Sequence, residues 1–274
     1  MSADFDPGYF QPPFDQLCRD YPGSDIYPAS DFRTEWGPVF HRGRLDGSAR
    51  VVLIGQDPAQ HEEMARRILI GTAGHRIQGF LAKLGIDRSY VMVNTFLYSV
   101  YGQQGGERHQ ADPGITAYRN RWLDALLSSG QVEAVIALGS LANEAWKAWQ
   151  STISGKLFKG AYAHITHPTE PEGASKGNRQ KLAAGITAML HSWNVGLKAL
   201  SPAISHPDTA RALVPYGHAF APGDYVAIPA IDLPAGSPAW MLGAEQWAKR
   251  TGSTATQKRF SITITVPADF QKKK

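Results

Sequence analysis

The sequence predicts a three-layer α/β/α domain built on a central, parallel, four-stranded sheet. Three observations carry that expectation. Four short apolar runs, residues 51–54, 91–93, 132–138 and 162–165, are rich in β-branched residues and read as strands buried on both faces. Stretches of helical spacing, residues 75–84, 116–127, 141–149 and 176–193, lie between and after them. Strands and helices therefore alternate along the chain, the order that gives a parallel sheet covered on both sides.

From about residue 195 the character changes. Proline and glycine become frequent, as in FAPGDYVAIPAIDLPAGSP, and helical periodicity returns only at residues 243–250. Further on, Phe260, Ile262, Ile264 and Val266 alternate with Ser261, Thr263 and Thr265, which predicts a half-buried strand packed on the main domain. The expected organisation is a first domain of residues 1–194 and a C-terminal extension, 195–274, that contains β structure and packs on the same domain. The closing Lys272 to Lys274 read as a frayed, solvated end.

Composition narrows the class. With 43% hydrophobic and 19% charged residues the chain is expected to fold rather than remain disordered. Cys18 is the only cysteine, which rules out an internal disulfide and any cluster held by several thiolates. His61, His75 and His109 lack metal-ligand spacing, so no metal is expected. Trp122, Trp146 and Trp149 sit on helical stretches and read as core. A net charge of +4 suits a polyanionic partner without demanding one. No run approaches eighteen apolar residues, and the opening MSADFDPGYFQPPFD does not read as a secretory signal, so the protein is expected to be cytosolic and free of membrane.

In open parallel sheets ligands bind beyond the carboxyl ends of the strands. The first run is followed by Gly55, Gln56, Asp57 and Pro58, the second by Asn94 and Thr95, the third by Gly139 and Ser140, and the fourth by Thr166, His167 and Pro168. An acid, an amide and an imidazole are thereby placed on one rim. Each has an ordinary reading as well. Asp57 precedes a proline and could simply start a turn, Asn94 could end a strand, and His167 could be a core histidine before a proline.

These motifs resemble those of the uracil-DNA glycosylase superfamily. VVLIGQDPA, ending at Ala59, is similar to a first motif that reads GQDPYH in its best-known family. VMVNTFLYSV resembles the strand whose asparagine reads uracil, and THPTEP resembles an HPS-type second motif. RILIGTAG and GFLAKLGIDRSYVMVN are more like the iron-sulfur and GLAPA-type branches, but the single cysteine makes this a cluster-free, divergent member. The resemblance covers roughly residues 35–193 and leaves the extension unaccounted for.

The resemblance implies a glycosylase that flips uracil out of DNA and hydrolyses its bond to deoxyribose, with no cofactor and as a monomer. Breaking that bond builds positive charge on the sugar and negative charge on the base, so a site needs a fixed anion and fixed donors. Asp57 takes the first role and His167 the second, at the uracil O2. Gln56 and Asn94 contact the base, and Asn94 offers one donor and one acceptor to its edge. Leu69 falls where a stacking phenylalanine stands in the iron-sulfur branch. Ala59 replaces the tyrosine that keeps out the thymine methyl. Glu62 or Glu63 could take over that task, and Glu62 is the favoured candidate. For DNA, Arg67, Ser140, Lys176 and Arg179 are the candidate contacts, with Arg67 equally readable as a surface ion-pair residue and Ser140 as a helix cap. Two other readings stay open: a glycosylase for thymine or other deaminated bases, favoured by Ala59, and a nucleic-acid binder that keeps the pocket without turnover or holds its abasic product very tightly.

Overall fold

A computed structural model describes residues 8–101, 105–244 and 246–271. Residues 1–7, in the opening segment considered above, and the terminal Lys272 to Lys274 lie outside the described residues. In chain order the elements are α1 (Phe14–Arg19), β1 (His41–Gly43), β2 (Val51–Gly55), α2 (Gln60–Ala65), α3 (Thr72–Lys83), β3 (Tyr90–Asn94), α4 (Gly105–His109), α5 (Pro113–Leu127), β4 (Ala134–Leu138), α6 (Ser140–Gln150), α7 (Ile153–Leu157), β5 (Ala161–Ile165), α8 (Glu170–Ser175), α9 (Arg179–Leu200), β6 (Ala248–Arg250), α10 (Ala255–Phe260) and β7 (Ile262–Ile264).

The main sheet has the order β1-β3-β2-β4-β5. β2, β3, β4 and β5 run parallel, in the register that sets Gly55 beside Asn94 and Leu138 beside Ile165. Alternate residues of one strand serve opposite faces. Val52 and Ile54 pack with Trp122, Trp146 and Trp149 from α5 and α6, whereas Val51 and Leu53 pack with Phe80 and Leu81 of α3 and Trp193 and Leu197 of α9. That two-sided burial is why the strands read as continuous apolar runs. Each large aromatic here is worth about 3–5 kcal/mol against truncation to alanine. Among the described residues no helix is long and apolar enough to cross a membrane.

The structure departs from the sequence reading in four places. The sheet has a fifth strand, β1, antiparallel to β3 at the edge. Its sequence, HRG, carries no apolar pattern. The helical stretch expected over residues 176–193 is two helices: Lys176 closes α8 in a left-handed conformation (φ 46°), and α9 starts afresh at an Asn178 whose side chain caps the Lys181 N–H at 2.9 Å. α9 then runs unbroken past residue 195, because Gly196, Leu197 and Leu200 still face the sheet. Finally, the described residues among 243–250 are not helical; the last three form β6, which pairs with β7.

The extension joins the main domain through apolar and ionic contacts. Ile228, Leu233, Trp247 and Ala248 bury themselves against Ala65 and Ile70. Arg250 places Nη2 at 2.6 Å and 2.5 Å from the two oxygens of the buried Glu63 on α2. Asp232 reaches under the sheet edge, where its carboxylate meets Arg42 at 3.1 Å and also takes bonds from Arg44 and the Tyr90 hydroxyl. The Arg42 and Asp232 side chains are both 0% exposed.

Two fully buried arginine and aspartate groups are tolerated only as partners. Asp232→Ala is therefore expected to lower stability by about 3–5 kcal/mol, since it leaves a buried cation uncompensated. Asp269→Ala, at an exposed position of the same extension, should stay within about 0.5 kcal/mol. Urea unfolding of the two variants checks this, and a loss under about 1 kcal/mol for Asp232→Ala would show that the buried pair holds nothing together.

Candidate active site

The site is assembled from strand ends. β2 stops at Gly55, and the missing side chain matters there, for a Cβ would fall 2.3 Å from Asn94 Oδ1. The bare backbone lets Asn94, at the end of β3, lean across the rim. Its Nδ2 is buried and has no partner within the protein, which is an unmet donor in a place where such groups are normally satisfied.

Asp57 follows two residues after Gly55. One oxygen accepts a 2.8 Å hydrogen bond from the Val100 N–H. Burial pushes its acid dissociation up to about 6, opposed by that N–H and by the charges of Arg33 and Arg250. Arg33 is itself anchored, donating from Nη1 to Ser99 Oγ at 3.1 Å and to the Val100 carbonyl.

His167 lies between β5 and α8. Its Nδ1 accepts from the Thr169 N–H at 3.3 Å. The ring proton is accordingly on Nε2, which is left to donate. Burial holds the imidazole neutral, with its pKa lowered to about 4. Gly139, at φ 86°, lets the β4–α6 turn pass close by, since a Cβ there would sit 3.2 Å from that of His167.

This loop is pinned from below. Trp193 Nε1 donates to the Thr166 carbonyl at 2.8 Å, and Ser192 Oγ receives the Thr166 N–H at 3.1 Å. Arg76 donates to the Pro168 carbonyl and, at 2.7 Å, to Glu172. Its guanidinium lies 4.7 Å from the Phe220 ring, contributed by the extension. Arg76 was invisible to sequence reasoning, because a lone arginine on a helical stretch reads as surface.

Glu62 is buried beside Asp57. Its two oxygens accept from the Ala59 and Leu69 N–H groups. Leu69 is held at φ 53°, a left-handed conformation unusual for leucine. Burial raises Glu62 to about 7, against those two N–H bonds, and the Asp57 charge adds to the rise.

Gln56, Asp57, Ala59, Glu62, Leu69, Asn94 and His167, all nominated from sequence, line one cavity of about 340 Å³. His61, Thr72, Ala244 and Gln246 also line it and were missed for this role. A larger hollow of about 500 Å³ opens elsewhere, beside Trp149 and Phe158. Its one carboxylate, Asp124, accepts from Trp149 Nε1 at 2.8 Å, so the reactive groups belong to the smaller cavity. Among the described residues no three His, Cys, Asp or Glu side chains are placed to hold a metal ion.

The proposed DNA contacts divide. Ser140 is exposed as the first residue of α6, and Lys176 and Arg179 are exposed where α8 gives way to α9. Arg67 is not on this surface. It is 3% exposed, donates to the Arg66 carbonyl at 2.8 Å and lies over the Tyr9 ring at 5.5 Å. A guanidinium buried there does not reach a DNA backbone.

An anion, an amide with a free donor and a neutral imidazole thus face one base-sized space. The sequence profile of the Uracil DNA glycosylase superfamily matches residues 42–192, more than half of the chain. The chain belongs to that superfamily. It is a DNA glycosylase, acting on damaged bases in base excision repair. No curated protein matches it. The glycosylase match ends within α9, at residue 192, so the whole of the extension lies outside it.

The His167 assignment can be checked without turnover. Nitrogen-edited NMR of the imidazoles should show His167 as the Nε2–H form, neutral until the pH nears 4. Unfolded chain takes up that proton near 6.5, so this residue removes stability as pH falls from 6.5 towards 4. A titration of His167 near 6.5 would refute the assignment.

Proposed function

We propose that the protein is a monofunctional uracil-DNA glycosylase, hydrolysing the bond between a flipped-out uracil and its deoxyribose to leave an abasic site. The observation that carries the reading is the convergence of Asp57, Asn94 and His167 on one cavity at the ends of β2, β3 and β5.

The proposed chemistry follows from those groups. Asn94 donates from Nδ2 to the uracil O4 and accepts the N3–H at Oδ1, a pattern that cytosine cannot match. As the C1′–N1 bond breaks, its electron pair leaves with the base. His167 Nε2–H donates to the O2 that gains this charge. Asp57 is the fixed anion beside the electron-poor sugar, and it orients a water whose oxygen bonds to C1′ and whose proton the carboxylate takes. Gln56 and Leu69 complete the base contact, and Ser140, Lys176 and Arg179 grip phosphates.

Ala59 favours a second reading, in which thymine or other deaminated bases are also released. It is exposed in the cavity and offers only a methyl group where bulk would be needed.

Single-turnover release of base from uracil-containing DNA tests the proposal. Asp57→Asn and His167→Ala should each slow it by about 100-fold or more, the usual loss on removing a charge-stabilising group. Normal rates in both would remove the mechanism. Because Asp57 must be ionised and titrates near about 6, the wild-type rate should climb as pH rises through 6 and level off above it. That limb should be missing in Asp57→Asn.

A further inference from the structure

The walls of the cavity have two origins. The turn after β2, the loop before α3 and the His167 loop fall within the superfamily match, but Ala244 and Gln246 belong to the extension beyond it. Their backbone is anchored. Thr72 Oγ1 donates to the Ala244 carbonyl at 3.0 Å, and His75 Nε2 donates to the Leu242 carbonyl at 2.6 Å. On the far side the Ala248 N–H donates to His61 Nε2 at 3.3 Å, and the His61 ring meets Trp247 edge-on at 4.7 Å. His61 stands two residues after Ala59, and Gln246 two residues before Ala248. The Ala248–His61 bond brings the Ala59 side of the cavity and the extension together as one wall.

In the uracil reading that wall faces the C5 edge of the base, because it holds Ala59, the position whose tyrosine counterpart in the resembling first motif keeps out the thymine methyl. Ala59 supplies no bulk. Glu62, the candidate from sequence, has both oxygens committed to the N–H groups of Ala59 and Leu69. Of the longer side chains on this wall, His61 is taken up by Ala248 and Trp247 and Ile70 is buried in the core, whereas Gln246 is exposed at the cavity.

We propose that Gln246 narrows the cavity against a methyl group at C5, so that the C-terminal extension, and not the first motif, governs the choice between uracil and thymine. The proposal rests on the uracil reading above. Gln246 works by filling space from a backbone that His61, Thr72 and His75 hold in place, and the remaining base contacts are independent of it.

The test is single-turnover base release by the wild type, Gln246→Ala and Gln246→Met on duplexes that differ only in carrying uracil or thymine opposite guanine. Gln246→Ala is expected to raise thymine release relative to uracil by about tenfold or more, as one methyl group in a pocket commands roughly 10- to 200-fold discrimination, with uracil release itself within about threefold of wild type. Gln246→Met, of similar length, should keep the wild-type ratio. An unchanged ratio in Gln246→Ala overturns the proposal. Equal loss of selection in Gln246→Met does so too, since bulk would then not be the cause. A wild type that frees no uracil brings down the uracil reading and this proposal together, which separates that failure from the other two.

Discussion

The site depends on an anion kept away from water. Asp57 accepts hydrogen bonds from the Val100 N–H and the Gln56 side chain and feels its nearest compensating charges, Arg33 and Arg250, only through space. A carboxylate in that position is poorly solvated, and the resulting rise in its pKa is the signature of stabilisation withheld. The group is therefore primed to interact with any positive charge that forms opposite it. His167, held neutral by burial, can offer a hydrogen bond without bringing a charge of its own into the cavity.

Holding such groups requires support from outside the sheet, and the extension provides it at three points. Asp232 neutralises Arg42 and Arg44 beneath the sheet edge, Arg250 meets Glu63 behind the first motif, and Phe220 covers Arg76, which in turn fixes the His167 loop. Each contact links a residue beyond 200 to β1, α2 or α3. The extension is thus part of the scaffold that supports the walls of the cavity, and not an appendage hung on a finished domain.

Much of this was legible in the sequence, for a physical reason. Strands buried on both faces must be apolar throughout, so β2, β3 and β4 announced themselves, and the residues just past their ends could be gathered on one rim. What stayed hidden was whatever depends on distant partners. β1 is a strand of His, Arg and Gly whose burial makes sense only once Asp232 arrives from 190 residues away. Arg67 and Arg76 look like surface charges until aromatic rings are placed over them. Residues 243–250, GAEQWAKR, have a spacing that imitates a helix, while the pairing with β7 that makes the last three a strand is set by another segment.

The double grip of Glu62 has a mechanical consequence. By taking the Ala59 and Leu69 N–H groups on one carboxylate it staples the two ends of the α2 segment, so the first motif and the loop that follows it move as a single rigid jaw. A change in the width of the cavity is thereby left to the walls that Glu62 does not hold, the His167 segment among them.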